Sequence, residues 1–183
     1  MKRSLKNISL KELAGLIGGQ LKKHGVDAVL TGGACVTIFS ENKYQSLDLD
    51  FVTHSAEYQG KIIKEAMNAL GFSITPEGFF ERPDCKYIVE FLPPPLAVGS
   101  EPVKHIITLK TKSGSLKMLS PTDCVKDRLA AYYHWKDPQS LEQAVMVAKR
   151  QKVNLKEVER WSAIEGKAEK YAEFLKMMKA QSR

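Results

Sequence analysis

Between Ser46 and Thr53 the chain reads Ser-Leu-Asp-Leu-Asp-Phe-Val-Thr, and this alternation restricts the fold more than any other stretch. Successive side chains of a strand leave on opposite faces. A strand over Ser46–Thr53 therefore puts Leu47, Leu49 and Phe51 on one face and Asp48 and Asp50 on the other. The first face demands a core beneath it. The second carries two carboxylates whose Cα atoms stand about 6.8 Å apart. A solvated strand face is the plain reading of such a pair. Against it, Asp is a poor strand former and the flanking residues belong in a core, so a bound divalent cation accounts better for two acids that repel each other. Mg2+, or Mn2+ in its place, takes hard oxygen ligands and is usually held by one or two carboxylates together with substrate phosphates and water.

Upstream, Asp27–Thr31 reads as a short buried strand, followed by Gly32, Gly33 and the apolar run Ala34–Ser40, which reads as a helix. A strand, a glycine turn and a helix start let backbone N–H groups approach an anion closely. A tight turn needing positive φ explains two glycines equally well when they stand alone. Here fourteen residues separate Gly33 from Asp48. Thr31, Gly32 and Gly33 are therefore candidate phosphate-binding residues. Glu90 is the only charge in the strand-like Tyr87–Leu92 segment. It is a candidate third acid, with an edge-strand rim residue as the alternative.

The surrounding pattern predicts an α/β (α+β) fold, a mixed sheet with flanking helices over residues 1–119 and a helical region over 120–183 packed on it. Ser9 and Glu12 form a capping-box pattern ahead of a helix over Ser9–His24. A helix over Ser55–Leu70 follows from Tyr58, Ile62, Ala66 and Leu70. Hairpins are predicted at Phe79–Arg82 with Tyr87–Leu92, and at His105–Thr111 with Ser115–Leu119. From Ser120, an N-cap followed by Pro121, the pattern becomes wholly helical: to Trp135, where Asp137 and Pro138 start a new helix with its body over Ser140–Gln151, then Leu155–Ile164 and Lys167–Lys179.

Three cysteines without CxxC spacing suggest neither a disulfide framework nor a zinc site, so a reducing cytoplasm is the expected compartment. No apolar run is long enough for a membrane span. The net charge of +7 permits attraction to phosphates, but residues 1–24 and 149–183 each carry +5 while residues 25–92 carry −5. The candidate site is acidic, and the basic ends either steer a polyanionic acceptor such as RNA or solvate helix faces. The four histidines and Cys35 read as structural or solvated.

At this point the residues resemble a known family. Leu-Thr-Gly-Gly-Ala at 30–34 followed by Ser-Leu-Asp-Leu-Asp-Phe-Val at 46–52 is similar to the hG[GS]…[DE]h[DE]h signature of the nucleotidyltransferase fold superfamily. Within it, the pattern looks most like the minimal and abortive-infection toxin (AbiEii-like) enzymes. The resemblance implies transfer of NMP from an NTP to a hydroxyl of RNA, a protein or a small molecule, with Mg2+. It implies Asp48, Asp50 and Glu90 as metal-binding and catalytic acids, with Glu90 as base for the acceptor hydroxyl. For the triphosphate it implies a basic residue on the helix after Ser120. Lys126 and Arg128 are both candidates, but two positions apart on a helix they point roughly 200° from each other; the Arg128-Leu129-x-Ala131 match favours Arg128. Three departures stand out: Gly33 where the turn often has Ser, a long spacing to Asp48, and Lys43 or Tyr44 where toxin-type enzymes often have Arg. The alternative is a catalytically inactive member of the fold acting as a binding module in a toxin–antitoxin-like system.

Overall fold

The computed structural model describes residues 4–53 and 60–180. The chain opens with α1 (Leu10–Lys23), β1 (Ala28–Thr31), α2 (Gly32–Phe39) and β2 (Asp48–Thr53), then α3 (Gly60–Ala69) and four strands, β3 (Ser73–Ile74), β4 (Phe80–Glu81), β5 (Ile88–Leu92) and β6 (Ala97–Val98). The strands β7 (Glu101–Pro102), β8 (Ile106–Lys110) and β9 (Ser115–Leu119) follow. The helices α4 (Pro121–Trp135), α5 (Pro138–Arg150), α6 (Leu155–Ile164) and α7 (Ala168–Ala180) complete it. Among the described residues no helix is long and apolar enough to cross a membrane.

Seven strands form one mixed sheet in the order β3-β4-β5-β2-β1-β9-β8, and β6 pairs with β7 separately. The central strand β2 runs antiparallel to β1 and parallel to β5, and β1 runs parallel to β9. The alternation read in the sequence holds within β2, where Leu49 and Phe51 are fully buried. Phe51 stacks on Phe91 at 5.5 Å, and Phe80 meets Phe91 edge-on. Leu47 does not join them. It precedes the strand and is 55% exposed, because the chain is still arriving from the loop after α2. On the apolar side, α1 lies so close to β9 that a side chain at Gly18 would come within 2.9 Å of the Leu116 Cα.

The N-terminus of α1 departs from the expected capping box. Ser9 Oγ accepts the Glu12 N–H at 3.3 Å, but the Glu12 carboxylate accepts the N–H groups of Lys112 and Ser113 in the β8–β9 turn. Two backbone donors in that turn outcompete the single one at Ser9. Ser120 caps α4 by accepting the Asp123 N–H at 3.1 Å, with Pro121 in the first turn. Asp137 caps α5, which opens at Pro138. The first residues of the helix expected from Ser55, with His54 and Tyr58, lie outside the described residues. The helices α4 and α5 pack against each other and against α2, and the Gln151 amide donates to the Phe39 carbonyl at the far end of α2.

Candidate active site

One face of the sheet carries the acids. In the parallel β2–β5 register Asp50 lies directly across from Glu90, and Asp48 across from Ile88. On its other side Asp50 pairs with Thr31 of β1, whose hydroxyl donates to the Asp50 carbonyl at 3.3 Å. Asp48, Asp50 and Glu90 line a hollow of about 260 Å³ together with Phe79 and Ile88. Packing three acids on one face has an electrostatic cost. Burial first, then the Glu90 and Asp48 carboxylates, raise the Asp50 carboxyl to about 6, although the Arg128 guanidinium pulls the other way.

The glycine turn meets this cluster. Gly32 has φ +65°, and a Cβ there would lie 2.6 Å from Asp50 Oδ2, so both backbone conformation and space require glycine. The carboxylate thus lies against the backbone at the start of α2. Thr31 makes no side-chain capping bond, and the first turn of α2 holds no acid. Its leading N–H groups have no carbonyl four residues behind them, so they can receive an anion.

The loop from Ser40 to Leu47 is tied down over this turn. Thr37, 2% exposed, donates its hydroxyl to the Gly33 carbonyl at 3.1 Å and accepts the Ser46 N–H at 2.9 Å. The buried Ser40 hydroxyl accepts the Tyr44 N–H. Tyr44 and Ser46 in consequence stand beside Gly33.

The two basic candidates separate as their helical positions require. Arg128 donates from Nε and Nη2 to Asp127 Oδ2, at 3.0 and 2.6 Å, and from Nη1 to Gln143. Its charge reaches Asp50. Lys126 is not brought to the acids: its ammonium donates to Glu157 at 2.6 Å, 3.9 Å from Asp123. It lines a hollow of about 580 Å³ with Arg160, Lys104 and His105. Tyr132, one turn on from Arg128, donates its hydroxyl to Glu173 and lies under the Lys170 ammonium. Cys35 is buried and donates to the Leu30 carbonyl.

Sequence reasoning passed over two side chains here. Asp127 borders a third hollow of about 250 Å³, lined also by Thr31, Val52, Leu92, Leu96 and Val98. Ser46 borders Gly33. Asp127 sits beside Arg128 in sequence and reads as its ion-pair partner. The place of Ser46 over the turn depends on the Thr37 contact, which no local pattern signals.

The donor set suits a hard cation, since every candidate ligand is a carboxylate. Among the described residues, however, no three His, Cys, Asp or Glu side chains are gathered so as to hold a metal ion between them.

No protein-family model and no curated protein matches the sequence. Solved structures do. An antigenic nucleotidyltransferase-like protein from Paracoccidioides brasiliensis superposes with a TM-score of 0.58 at 15% identity, over 79% of this chain and 78% of that one. ANT(2")-Ia, solved with adenylyl-2"-tobramycin, superposes with a TM-score of 0.50 at 10% identity, over 95% of this chain and 98% of that one. At such identities the likeness shows the fold, and the fold is nucleotidyltransferase-like.

Proposed function

We propose that this chain is a nucleotidyltransferase that moves NMP from an NTP to a hydroxyl and releases pyrophosphate. The observation that carries the reading is the contact between Gly32 and Asp50. An uncapped helix start made for an anion lies against a carboxylate of the kind that shares a cation with phosphates. The nucleotidyltransferase-like fold supports it.

In this reading the N–H groups opening α2, beginning at Gly32 and Gly33, donate to the triphosphate and hold it in line with the acceptor. Asp48 and Asp50 are the residues that would hold Mg2+ or Mn2+. Such an ion, when bound, neutralises triphosphate charge and polarises the phosphoryl group. Glu90, across the strand from Asp50, accepts the proton of the attacking hydroxyl. Arg128 contributes positive charge beside the acids while fixed by Asp127. Lys126, tied to Glu157, takes no part in this reading.

The acceptor sits in the hollow that Asp127 borders, on the same sheet face. Its apolar wall and volume of about 250 Å³ favour a small molecule bearing a hydroxyl. The neighbour solved with adenylyl-2"-tobramycin is consistent with such an acceptor. The direct test incubates the protein with each α-labelled NTP, Mg2+, and separate pools of small alcohols and aminoglycosides, tRNA and protein. Transfer to the small-molecule pool that disappears in Asp48→Asn and Asp50→Asn is the expected result. Transfer to tRNA instead would support the toxin-type role, and absence of nucleotide binding by wild type would sink the enzyme reading in favour of an inactive binding module.

A further inference from the structure

We propose that the Ser46 hydroxyl contacts the triphosphate, supplying from the loop before β2 the hydroxyl that the turn lacks at Gly33. The inference rests on the nucleotidyltransferase reading above. A Cβ built at Gly33 would lie 3.0 Å from Ser46 Oγ and 3.4 Å from both Ser46 Cβ and the Tyr44 ring. Gly33 is not among the glycines with positive φ, so its backbone would accept a side chain. A side chain there would crowd Ser46 and Tyr44, which would have to give by a few tenths of an ångström. The hydroxyl that a serine in the turn would present is thus present, brought in from thirteen residues further along the chain.

Its placement is built. The Ser46 N–H is held by Thr37 Oγ1, which also bonds the Gly33 carbonyl, so one buried threonine couples the loop to the turn. Ser46 Oγ accepts the Asp48 N–H at a long 3.4 Å. Among the described residues no acceptor takes the Ser46 hydroxyl hydrogen. A half-buried O–H with a spare proton, beside the uncapped backbone N–H groups at Gly33 and bonded to the Asp48 N–H, is suited to donate to a phosphate oxygen.

The test is a transposition of the hydroxyl. Binding of α,β-methylene NTP analogues with Mg2+ is measured by calorimetry for wild type, Ser46→Ala, Gly33→Ser and the double variant, with melting curves to establish that each is folded. A hydrogen bond to a charged phosphate is worth roughly 1.5–3 kcal/mol, so Ser46→Ala should weaken the analogue that wild type binds by about tenfold or more. Gly33→Ser alone should also weaken it, because the added side chain crowds Ser46. The double variant, with the crowding removed and a hydroxyl restored on the turn, should bind more tightly than either single variant. Wild-type-like affinity in Ser46→Ala, or a double variant no better than the singles, overturns the inference and leaves the nucleotidyltransferase reading standing. Wild type that binds no analogue overturns both.

Discussion

Asp50→Asn should make the metal-free protein more stable at neutral pH while abolishing transfer. The substitution removes a charge and keeps the shape. Burial, followed by the Glu90 and Asp48 carboxylates, lifts the Asp50 carboxyl from an ordinary 3.8 to about 6. A carboxyl that holds its proton more tightly in the folded chain than in the unfolded one favours folding while protonated. That contribution is complete below pH 3.8 and is lost as the pH rises through about 6. At about 1.4 kcal/mol per tenfold change in proton affinity, the displacement corresponds to roughly 3 kcal/mol at pH 8. This is a ceiling, because Asp50 keeps some contact with water. Urea unfolding in EDTA should therefore show Asp50→Asn more stable than wild type by about 1–3 kcal/mol at pH 8. At pH 4 the two should nearly coincide. Adding Mg2+ at pH 8 should narrow the gap by stabilising wild type selectively. A variant no more stable than wild type at pH 8, or one equally favoured at both pH values, would refute the electrostatic argument.

Gly32→Ala places a side chain at φ +65° with its Cβ 2.6 Å from Asp50 Oδ2. Urea unfolding should show a loss of about 1–2 kcal/mol from the backbone alone, and nucleotide binding measured by calorimetry should fall as the carboxylate is displaced. The salt link to Arg160, reinforced by Lys126, holds Glu157 down at about 2, so it stabilises the fold above pH 4.5 and that help is lost as the pH drops toward 2. Melting temperatures of Glu157→Gln should accordingly change less than those of wild type across that window. Lys126→Met should lower the melting temperature modestly, because Glu157 loses one of its two cationic partners and keeps Arg160, while leaving nucleotide affinity unchanged, whereas Arg128→Met should weaken nucleotide binding. Equal losses of affinity in the two variants would contradict the separation of these side chains across α4.

The parts of the fold with strong local signals were legible before any coordinates. Ser120 followed by Pro121 marks the start of α4 because capping is chemistry between near neighbours. The β2 alternation declares a buried face because Leu49 and Phe51 have nowhere else to go. The two-residue strands β3, β6 and β7 are too short to carry a period, and they exist because neighbouring chain offers a ladder. Glu12 shows the limit of a local rule, its carboxylate taken by a turn a hundred residues away. At the site, the acids and glycines share a sequence pattern, whereas Ser46 reaches Gly33 through its bond to Thr37, and Asp127 comes to a hollow lined by Thr31 and Val52 through the packing of α4.

The parallel pairing of β1 with β9 matters for the order in which the chain assembles. Val29 and Leu30 lie beside Lys117 and Met118, so one side of β1 cannot be satisfied until nearly two-thirds of the polypeptide exists. During synthesis β1 and β2 can join early and β5 can follow, bringing Asp50 beside Glu90 while the opposite edge of β1 still presents unpaired amides and carbonyls. Contacts this distant in sequence slow folding, and an apolar strand left open invites pairing with another chain. The strand that leads into the glycine turn is therefore also the place where a nascent or truncated chain ending before Ser115 is most exposed to aggregation.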